Sequence, residues 1–329
     1  MGKGTSLTEL HLQVLEAFFI EEVMIEGKTV EGKEIQDIEK DHTGANQQSS
    51  FVEHYLSVVK GYQQCFSVWQ NGEKMDIYKL RKHLIPLIEE AIQHPDEIFS
   101  LHHYVVNKDY LFHHAVSTSI FSAFLAKKMG YEKGDWVQIG LAGALCDAGM
   151  AKVSTSFLKH TGPPTYQEKE AIGQHPVYSY QMLKNVPALK KEVLLAVSQH
   201  HEREDGSGYP PHIRGNKIHP FSKIVAVADS FHAMTCERSY RKRRSPFQAI
   251  EVMKEEQFGR YDLSVLKALS DVLVRLSIGT KVRLTDNRLG EIVFIPPTRP
   301  TRPIVKIENS GEMITLANRN DLFVDTILT

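Results

Sequence analysis

The chain of 329 residues is poor in cysteine, carries no excess charge of either sign and contains no long apolar run. Its three cysteines, Cys65, Cys146 and Cys236, are too few for a disulfide framework, which favours a reducing compartment and predicts a cytoplasmic protein. Because it lacks both a stretch of about eighteen apolar residues and an apolar leader, we expect neither membrane insertion nor secretion. Since 39 basic residues balance 40 acidic ones, no bulk field attracts nucleic acid, and no nucleic-acid partner is expected.

Three segments follow one another along the chain. Residues 1–50 combine a short amphipathic helix at 7–19, a strand at Val23–Ile25 and a polar linker, which predicts a short α/β segment. Residues 51–278 have helical periodicity almost throughout, so a mainly α fold is expected. The predicted helices are 51–69, 75–94, 112–129, 135–147, 167–184, 188–201, 220–235, 245–256 and 263–276.

Residues 279–329 consist of short runs of strand-forming residues separated by turn residues. This pattern predicts a small all-β domain at the C-terminal end. It is interpreted either as a stabilising cap or as a module that binds a protein partner, and a homodimer is a further hypothesis. The predicted strands are Lys281–Leu284, Glu291–Ile295, Ile304–Glu308, Ile314–Ala317 and Leu322–Leu328.

The run HHEREDGSGYP, from His200 to Pro210, is the most informative local motif. Adjacent histidines on a helix point in different directions, so the pair can serve two metals, or one metal and one substrate group. Gly206 and Gly208-Tyr209-Pro210 then end the helix and predict a tight loop. Taken alone, the two histidines are more simply interpreted as ordinary residues of a solvated loop. The residues elsewhere in the helical segment favour the metal interpretation.

Candidate metal ligands recur through the helical segment, so that successive helices can each deliver a side chain to one centre, as in the metal sites of helical bundles. A set of imidazole and carboxylate ligands suits Fe, Mn or Zn. A carboxylate that bridges two such ions would help them activate water for attack on phosphorus. The candidates are His114, Cys146, Asp147, His175, His200, His201 and Asp229.

These residues carry a resemblance to a known family. From about Tyr110 to Ser270 the chain resembles the HD-GYP proteins, a branch of the HD phosphohydrolase superfamily that hydrolyses cyclic di-GMP. The densest part is HHEREDGSGYP, followed by IRGNKIHPFSKIVAVADSFHAMTCERSYRKRRSP. The order of HHE, DGxGYP, a basic loop, a helix with AVAD and an RxYR segment is highly specific for that family.

The resemblance implies an HD-type helical bundle, a cyclic dinucleotide as partner and two divalent ions, Fe, Mn or Zn. It makes Asp147 the bridging, catalytic ligand and His114 a supporting one. It makes Tyr209 part of the rim of the substrate pocket. The terminal metal ligands would be His175, His200, His201 and Asp229, and the phosphate-binding residues would be Arg238 and Arg241.

Three positions depart from the family pattern, and a fourth bears on the number of metal ions. Cys146 replaces the histidine of the His-Asp dyad; its thiol either binds metal or packs as an apolar group. Met150 replaces a lysine, which removes a cation from the scissile phosphate. His232 replaces an aspartate and either binds metal, supports a ligand or packs. Tyr110 stands where some members carry a glutamate for a third metal, so two ions are the expected maximum.

Two functions are therefore compared. In one, the protein is a metal-dependent cyclic di-GMP phosphodiesterase whose activity is reduced by the altered dyad. In the other, the metals are partly or wholly lost and the protein is an inactive receptor for cyclic dinucleotides or a signalling adaptor.

Overall fold

A computed structural model describes residues 45–154, 156, 162–163, 165–237, 242–255, 258–273 and 278–328. The helix predicted at 7–19, the strand at Val23–Ile25 and most of the linker lie outside these residues. Gln48–Thr329 forms one compact unit. The described chain is mainly helical and ends in a small antiparallel sheet, which confirms the predicted fold class. The domain limits at residues 50 and 278 stay a prediction.

Ten helices of seven or more residues make up the helical part of the described chain. A single helical turn, Pro95–Ile98, and several 3₁₀ turns, among them Ala148–Lys152, connect them. The helices are α1 (Ala45–Gln70), α2 (Ile77–Gln93), α3 (Tyr110–Lys128), α4 (Lys133–Leu145), α5 (Tyr166–Ile172), α6 (His175–Leu183), α7 (Lys191–Gln199), α8 (Pro220–Thr235), α9 (Pro246–Lys254) and α10 (Leu263–Leu273).

Helix α3 is the centre of the bundle, because every residue from His113 to Ala126 is buried. It packs most extensively against α4 and also contacts α2 and α8. Small residues allow the close contact with α4: a Cβ at Gly143 would lie only 2.7 Å from the carbonyl oxygen of Thr118. The two helices therefore meet backbone to backbone, which fixes where the ends of both helices deliver their side chains.

The helix predicted at 167–184 is two helices, α5 and α6, separated at Gly173 and Gln174. Thr165 begins α5 with a capping box, in which its side chain and that of Glu168 each accept the other residue's backbone N–H. Pro176 lies at the start of α6, where its missing N–H needs no partner. The break places His175 at a helix start and turns its side chain towards the centre of the bundle.

The C-terminal sheet has five antiparallel strands in the order β4-β3-β2-β1-β5. Alternate residues such as Val282, Leu284, Ile292 and Val305 are buried, as expected for a sheet with one face on a core. Each strand overlaps its predicted counterpart. The strands are β1 (Lys281–Leu284), β2 (Leu289–Phe294), β3 (Ile304–Ile307), β4 (Met313–Thr315) and β5 (Val324–Leu328).

Two arginines connect the sheet with the helices. Arg302, just before β3, pairs with Glu251 on α9, and the two side chains are 11% and 13% exposed. Its guanidinium also donates to the carbonyl oxygen of Leu322 at 3.0 Å. Arg243, just before α9, donates two hydrogen bonds to Asp325 on β5, at 2.8 and 2.9 Å. A forked guanidinium paired with a carboxylate holds both distance and orientation.

Replacing Arg302 by alanine should lower the free energy of unfolding by about 3 kcal/mol, because Glu251 would remain mostly buried without its charged partner and would keep only the hydrogen bond from Thr301. Urea denaturation of the full chain measures this change. Arg319→Ala is the matched control, since Arg319 pairs with Asp321 at the surface and its loss should have little effect. Equal stability of the two variants would contradict a structural role for the Arg302–Glu251 pair.

Candidate metal centre

Asp147 lies at the point where α4 ends and the 3₁₀ turn Ala148–Lys152 begins. Its two carboxylate oxygens face different histidines. Oδ1 lies 3.0 Å from Nε2 of His175 and 3.6 Å from Nε2 of His200, whereas Oδ2 lies 3.7 Å from Nε2 of His114. With 13% of its side chain exposed, Asp147 is almost enclosed. One carboxylate thus belongs to two neighbouring sets of donors.

The structure brings six of the seven predicted ligands into two groups whose donor atoms all lie within 4.8 Å of one another. The first group, called the histidine group, comprises Asp147, His175, His200 and His201. The second, called the aspartate group, comprises His114, Asp147 and Asp229. Helices α3 and α8 deliver the aspartate group, and the start of α6 and the end of α7 deliver the histidine group.

The tautomers of two histidines in the histidine group are set by the backbone. Nδ1 of His175 lies 2.6 Å from the carbonyl oxygen of Ile172, and Nδ1 of His200 lies 2.8 Å from that of Val197. A carbonyl oxygen only accepts, so both Nδ1 atoms carry a proton, and in the neutral rings both Nε2 atoms keep a lone pair. These two Nε2 atoms face each other at 3.2 Å.

In the neutral rings, two lone pairs and a carboxylate oxygen point at one another, and they repel unless a proton or a metal ion lies between them. Imidazoles that donate Nδ1–H to a carbonyl and present Nε2 inward have the arrangement typical of metal ligands. The six side chains of the two groups offer imidazole nitrogens and carboxylate oxygens, which divalent transition metals accept. The donor set therefore fits a divalent metal.

The electrostatics of the histidine group keep Asp147 ionised. Burial alone would raise the pKa of Asp147, but hydrogen bonds from His175 and His200 hold that pKa well below its usual value. Burial would lower the pKa of His175, yet its hydrogen bond with Asp147 raises it. Burial, together with the neighbouring His200, puts the pKa of His201 well below its usual range, so its ring is neutral.

In the aspartate group, His114 has a partner at each ring nitrogen. Nε2 lies 2.8 Å from Oδ1 of Asp229, and Nδ1 lies 2.8 Å from Nδ1 of His232. Asp229 and His232 are three residues apart on α8, so they lie on one face of that helix. Sequence reasoning left the role of His232 open; the structure puts it in direct contact with a predicted ligand. Its side chain is fully buried.

Cys146 is the predicted ligand that belongs to neither group among the described residues. Its thiol donates to the carbonyl oxygen of Gly143, in its own helix, at 3.2 Å. Burial raises the pKa of this thiol well above its usual value, and Asp147 and Asp229 raise it further. Met150, the second altered position, packs against the apolar core. Neither residue is brought together with the six donors, and ligation by Cys146 stays a prediction.

Tyr209 lies at the edge of the histidine group. Its ring stacks on His201, with the ring centres 4.7 Å apart and the planes 24° from parallel. Burial raises the pKa of its hydroxyl, which therefore stays protonated and can donate a hydrogen bond. Gly208 allows the loop to lie against its own start, since a Cβ there would be 2.4 Å from the backbone of Glu202. Arg238 and Arg241 lie outside the described residues.

Ser179 supports the site and was not found from the sequence. Its hydroxyl donates to the carbonyl oxygen of Cys146 and accepts from the N–H of Gly149, both at 2.7 Å. These two hydrogen bonds attach Cys146 and Gly149, which flank Asp147 and Ala148, to helix α6. Its position four residues after His175, on the same face of α6, is a weak signal that only a known helix start makes visible.

Comparisons with known proteins agree with this geometry. The HD domain family matches residues 92–265. A cyclic di-GMP phosphodiesterase from Pseudomonas aeruginosa is 30% identical over 218 residues, which cover 64% of this chain and 52% of that protein. A 3'3'-cGAMP-specific phosphodiesterase from Vibrio cholerae is 31% identical over 218 residues, which cover 64% of this chain and 49% of that protein. The chain thus spans about half the length of these relatives.

Among solved structures, an HDG"Y"P protein from Bdellovibrio bacteriovorus shares the fold, with a TM-score of 0.53 and 19% identity. The match covers 71% of this chain and 74% of that protein. None of the helices in the described part of the chain has the length and apolar character needed to span a bilayer. The predicted resemblance is confirmed, and because the matched residues 92–265 make up more than half of its length, the chain belongs to the HD domain family.

Proposed function

We propose that this protein is a metal-dependent phosphodiesterase that hydrolyses cyclic di-GMP. The observation that carries the proposal is the opposed pair of Nε2 atoms of His175 and His200, 3.2 Å apart beside a carboxylate that reaches a second donor group. The names of the relatives from Pseudomonas aeruginosa and Vibrio cholerae support a cyclic dinucleotide as the substrate.

Two divalent ions held by the two groups would lower the pKa of water and stabilise charge on the phosphate oxygens. Asp147 contributes one oxygen to each group and so sets their separation. His175 and His200 present lone pairs whose direction the backbone fixes. Tyr209, stacked on His201, limits movement of that ring and forms the rim against which a nucleotide would lie. Arg238 and Arg241 are proposed to bind the substrate phosphates through their forked guanidinium groups.

The proposal extends to the identity of the metal, the cellular compartment and the surface that binds a partner. Imidazole and carboxylate donors suit Fe, Mn or Zn. We also propose that the protein acts in the cytoplasm, where its free cysteines remain reduced. The C-terminal sheet is proposed as the surface for a protein partner or for a second copy of the chain.

The proposal is tested by metal analysis and by turnover. Protein purified without chelator should contain at least one metal ion per chain, and addition of Mn²⁺ or Fe²⁺ should support cleavage of cyclic di-GMP to linear products. Chelation should abolish cleavage, and re-addition of the metal should restore it. Metal-replete protein that leaves cyclic di-GMP intact would contradict the enzymatic function.

One observation favours the second candidate, a receptor that binds without turnover. The thiol of Cys146 is bonded within its own helix and Met150 lies against the apolar core, so two positions that carry polar groups in the family offer none to the site here. In that case cyclic di-GMP would bind and remain intact.

Met150→Lys separates these candidates. If the site is a detuned enzyme, the restored cation should raise turnover by on the order of 10²-fold. Steady-state hydrolysis of cyclic di-GMP measures the change, with Cys146→His as the companion variant. Met129→Lys controls for the added charge, because Met129 is also partly buried but follows the far end of α3. Unchanged binding with no turnover in Met150→Lys and Cys146→His would favour the receptor.

A further inference from the structure

We propose that the two donor groups bind their metal ions with unequal affinity. The reason is that His232 lets the side chains of the aspartate group form a complete set of hydrogen bonds when no metal is bound. This inference rests on the proposed metal site and concerns which of its halves is filled at a given metal concentration. The histidine group would retain its ion, whereas the aspartate group would bind its ion weakly and reversibly.

The histidine group offers four donors, whereas the aspartate group offers three. His175 and His200 cannot change tautomer without losing the hydrogen bonds from Nδ1 to the carbonyl oxygens of Ile172 and Val197. In the neutral rings, their Nε2 lone pairs are therefore directed at each other and at Asp147. A metal ion relieves this repulsion, and the relief adds to the free energy of binding.

The aspartate group differs because His114 can form hydrogen bonds with both Asp229 and His232 when no metal ion is bound. The carboxylate of Asp229 accepts, so in the metal-free protein Nε2–H of His114 donates to it across 2.8 Å. Nδ1 of His114 is then an acceptor, and His232 supplies the matching donor, its own Nδ1–H, across 2.8 Å. In this arrangement each nitrogen of the His114 ring has a partner of the right kind.

Metal binding at the aspartate group requires both of these hydrogen bonds of His114 to change. Nε2 of His114 has to give up its proton, so His114 takes the Nδ1–H tautomer and donates to His232. His232 then carries its own proton on Nε2 instead of Nδ1, and the two rings together keep the same number of protons. Asp229 loses the hydrogen bond from His114. The hydrogen bond lost and the tautomer change at two buried rings oppose binding.

An aspartate at position 232, as in the family pattern, would behave differently. An ionised carboxylate accepts and never donates, so it would keep a proton on Nδ1 of His114 in every state, and metal binding would then require only the loss of a proton from Nε2 with no change of tautomer. Supporting hydrogen bonds of this kind change metal affinity by about 10- to 100-fold. His232 is fully buried, so water does not take over its role. His232 is thus a positioning residue that lowers the metal affinity of the aspartate group.

The test is stepwise binding of Mn²⁺ to the full chain, followed by calorimetry, in the wild type and in His232→Asp. In the wild type, the first ion should bind at least about tenfold more tightly than the second. In His232→Asp, the second affinity should rise by about 10- to 100-fold with the first unchanged. Two ions of equal affinity in the wild type would overturn the inference.

A measurement on the metal-free protein decides the same point without any ion. The ¹⁵N chemical shifts of the His114 ring should show an Nδ1 without a proton in the metal-free wild type and a protonated Nδ1 in His232→Asp. His232→Asn is the matched control, since an amide can still donate and should preserve the wild-type tautomer. A protonated Nδ1 in the metal-free wild type would overturn the inference even if His232→Asp fails to fold. A protein that binds no Mn²⁺ would contradict the proposed function instead, and the ring tautomers would still decide the role of His232.

Discussion

Replacement of Asp147 by asparagine is expected to remove metal from both donor groups and to lower hydrolysis of cyclic di-GMP by on the order of 10³-fold. Asp147 is the residue that the histidine group and the aspartate group share. An asparagine has nearly the same shape, but it carries no charge and its amide nitrogen donates. Whichever way the amide is turned, one group faces a donor in place of an oxygen. Metal content by mass spectrometry and turnover with added Mn²⁺ measure the two effects.

The control for this change is Asp135→Asn. Asp135 pairs with Lys190 at the surface, so its substitution should leave metal content and turnover at wild-type values. Retention of two ions and full turnover by Asp147→Asn would refute the bridging role. Loss of one ion alone would show that the two groups do not share the carboxylate in the way that the distances indicate.

Replacement of Gly149 by alanine should lower the free energy of unfolding by about 4 kcal/mol or more, which places it among the most damaging single changes. A Cβ at this position would lie 2.2 Å from the carbonyl oxygen of His175 and 2.5 Å from the backbone nitrogen of Ser179. Both are backbone atoms of α6, so the new methyl group must displace the helix that carries His175. The variant should therefore also bind metal more weakly, at temperatures where it remains folded.

Urea denaturation and metal titration of Gly149→Ala measure stability and affinity separately. Gly61→Ala is the control, because Gly61 lies inside helix α1 and a Cβ added there would meet nothing within 4 Å. Alanine at that position should stabilise the helix by up to about 1 kcal/mol. Wild-type stability in Gly149→Ala would mean that the turn after Asp147 and helix α6 are not in the close contact that the structure shows.

Much of the fold could be predicted from the sequence because the relevant signals are local. The apolar periodicity of residues 112–129 and 220–235 gave helices α3 and α8 within two residues of their observed limits. The strands followed from turn residues such as Asn309-Ser310-Gly311. The single helix predicted at 167–184 was wrong, because apolar periodicity does not register Pro176, whose missing N–H and fixed φ favour the start of a new helix.

The ligand candidates could be predicted for a different reason. His175, the pair His200-His201 and Asp229 stand in motifs with fixed order, and the structure gathers them around Asp147. The hydrogen bond between His114 and His232 could not be predicted, since it joins residues 118 positions apart. The direction of the Cys146 thiol could not be predicted either, because a cysteine beside Asp147 can point into the site or back along its helix.

The hydrogen bonds that orient His175 and His200 have a consequence for how this protein can diverge. Their acceptors are main-chain carbonyls three residues earlier in the chain, which no side-chain replacement removes. Single substitutions therefore cannot change the orientation of these two rings. The ring of His114, in contrast, is oriented by side chains that one codon change can alter. Over evolutionary time, variation in metal preference and in catalytic power should accumulate on the helix α8 side of the centre.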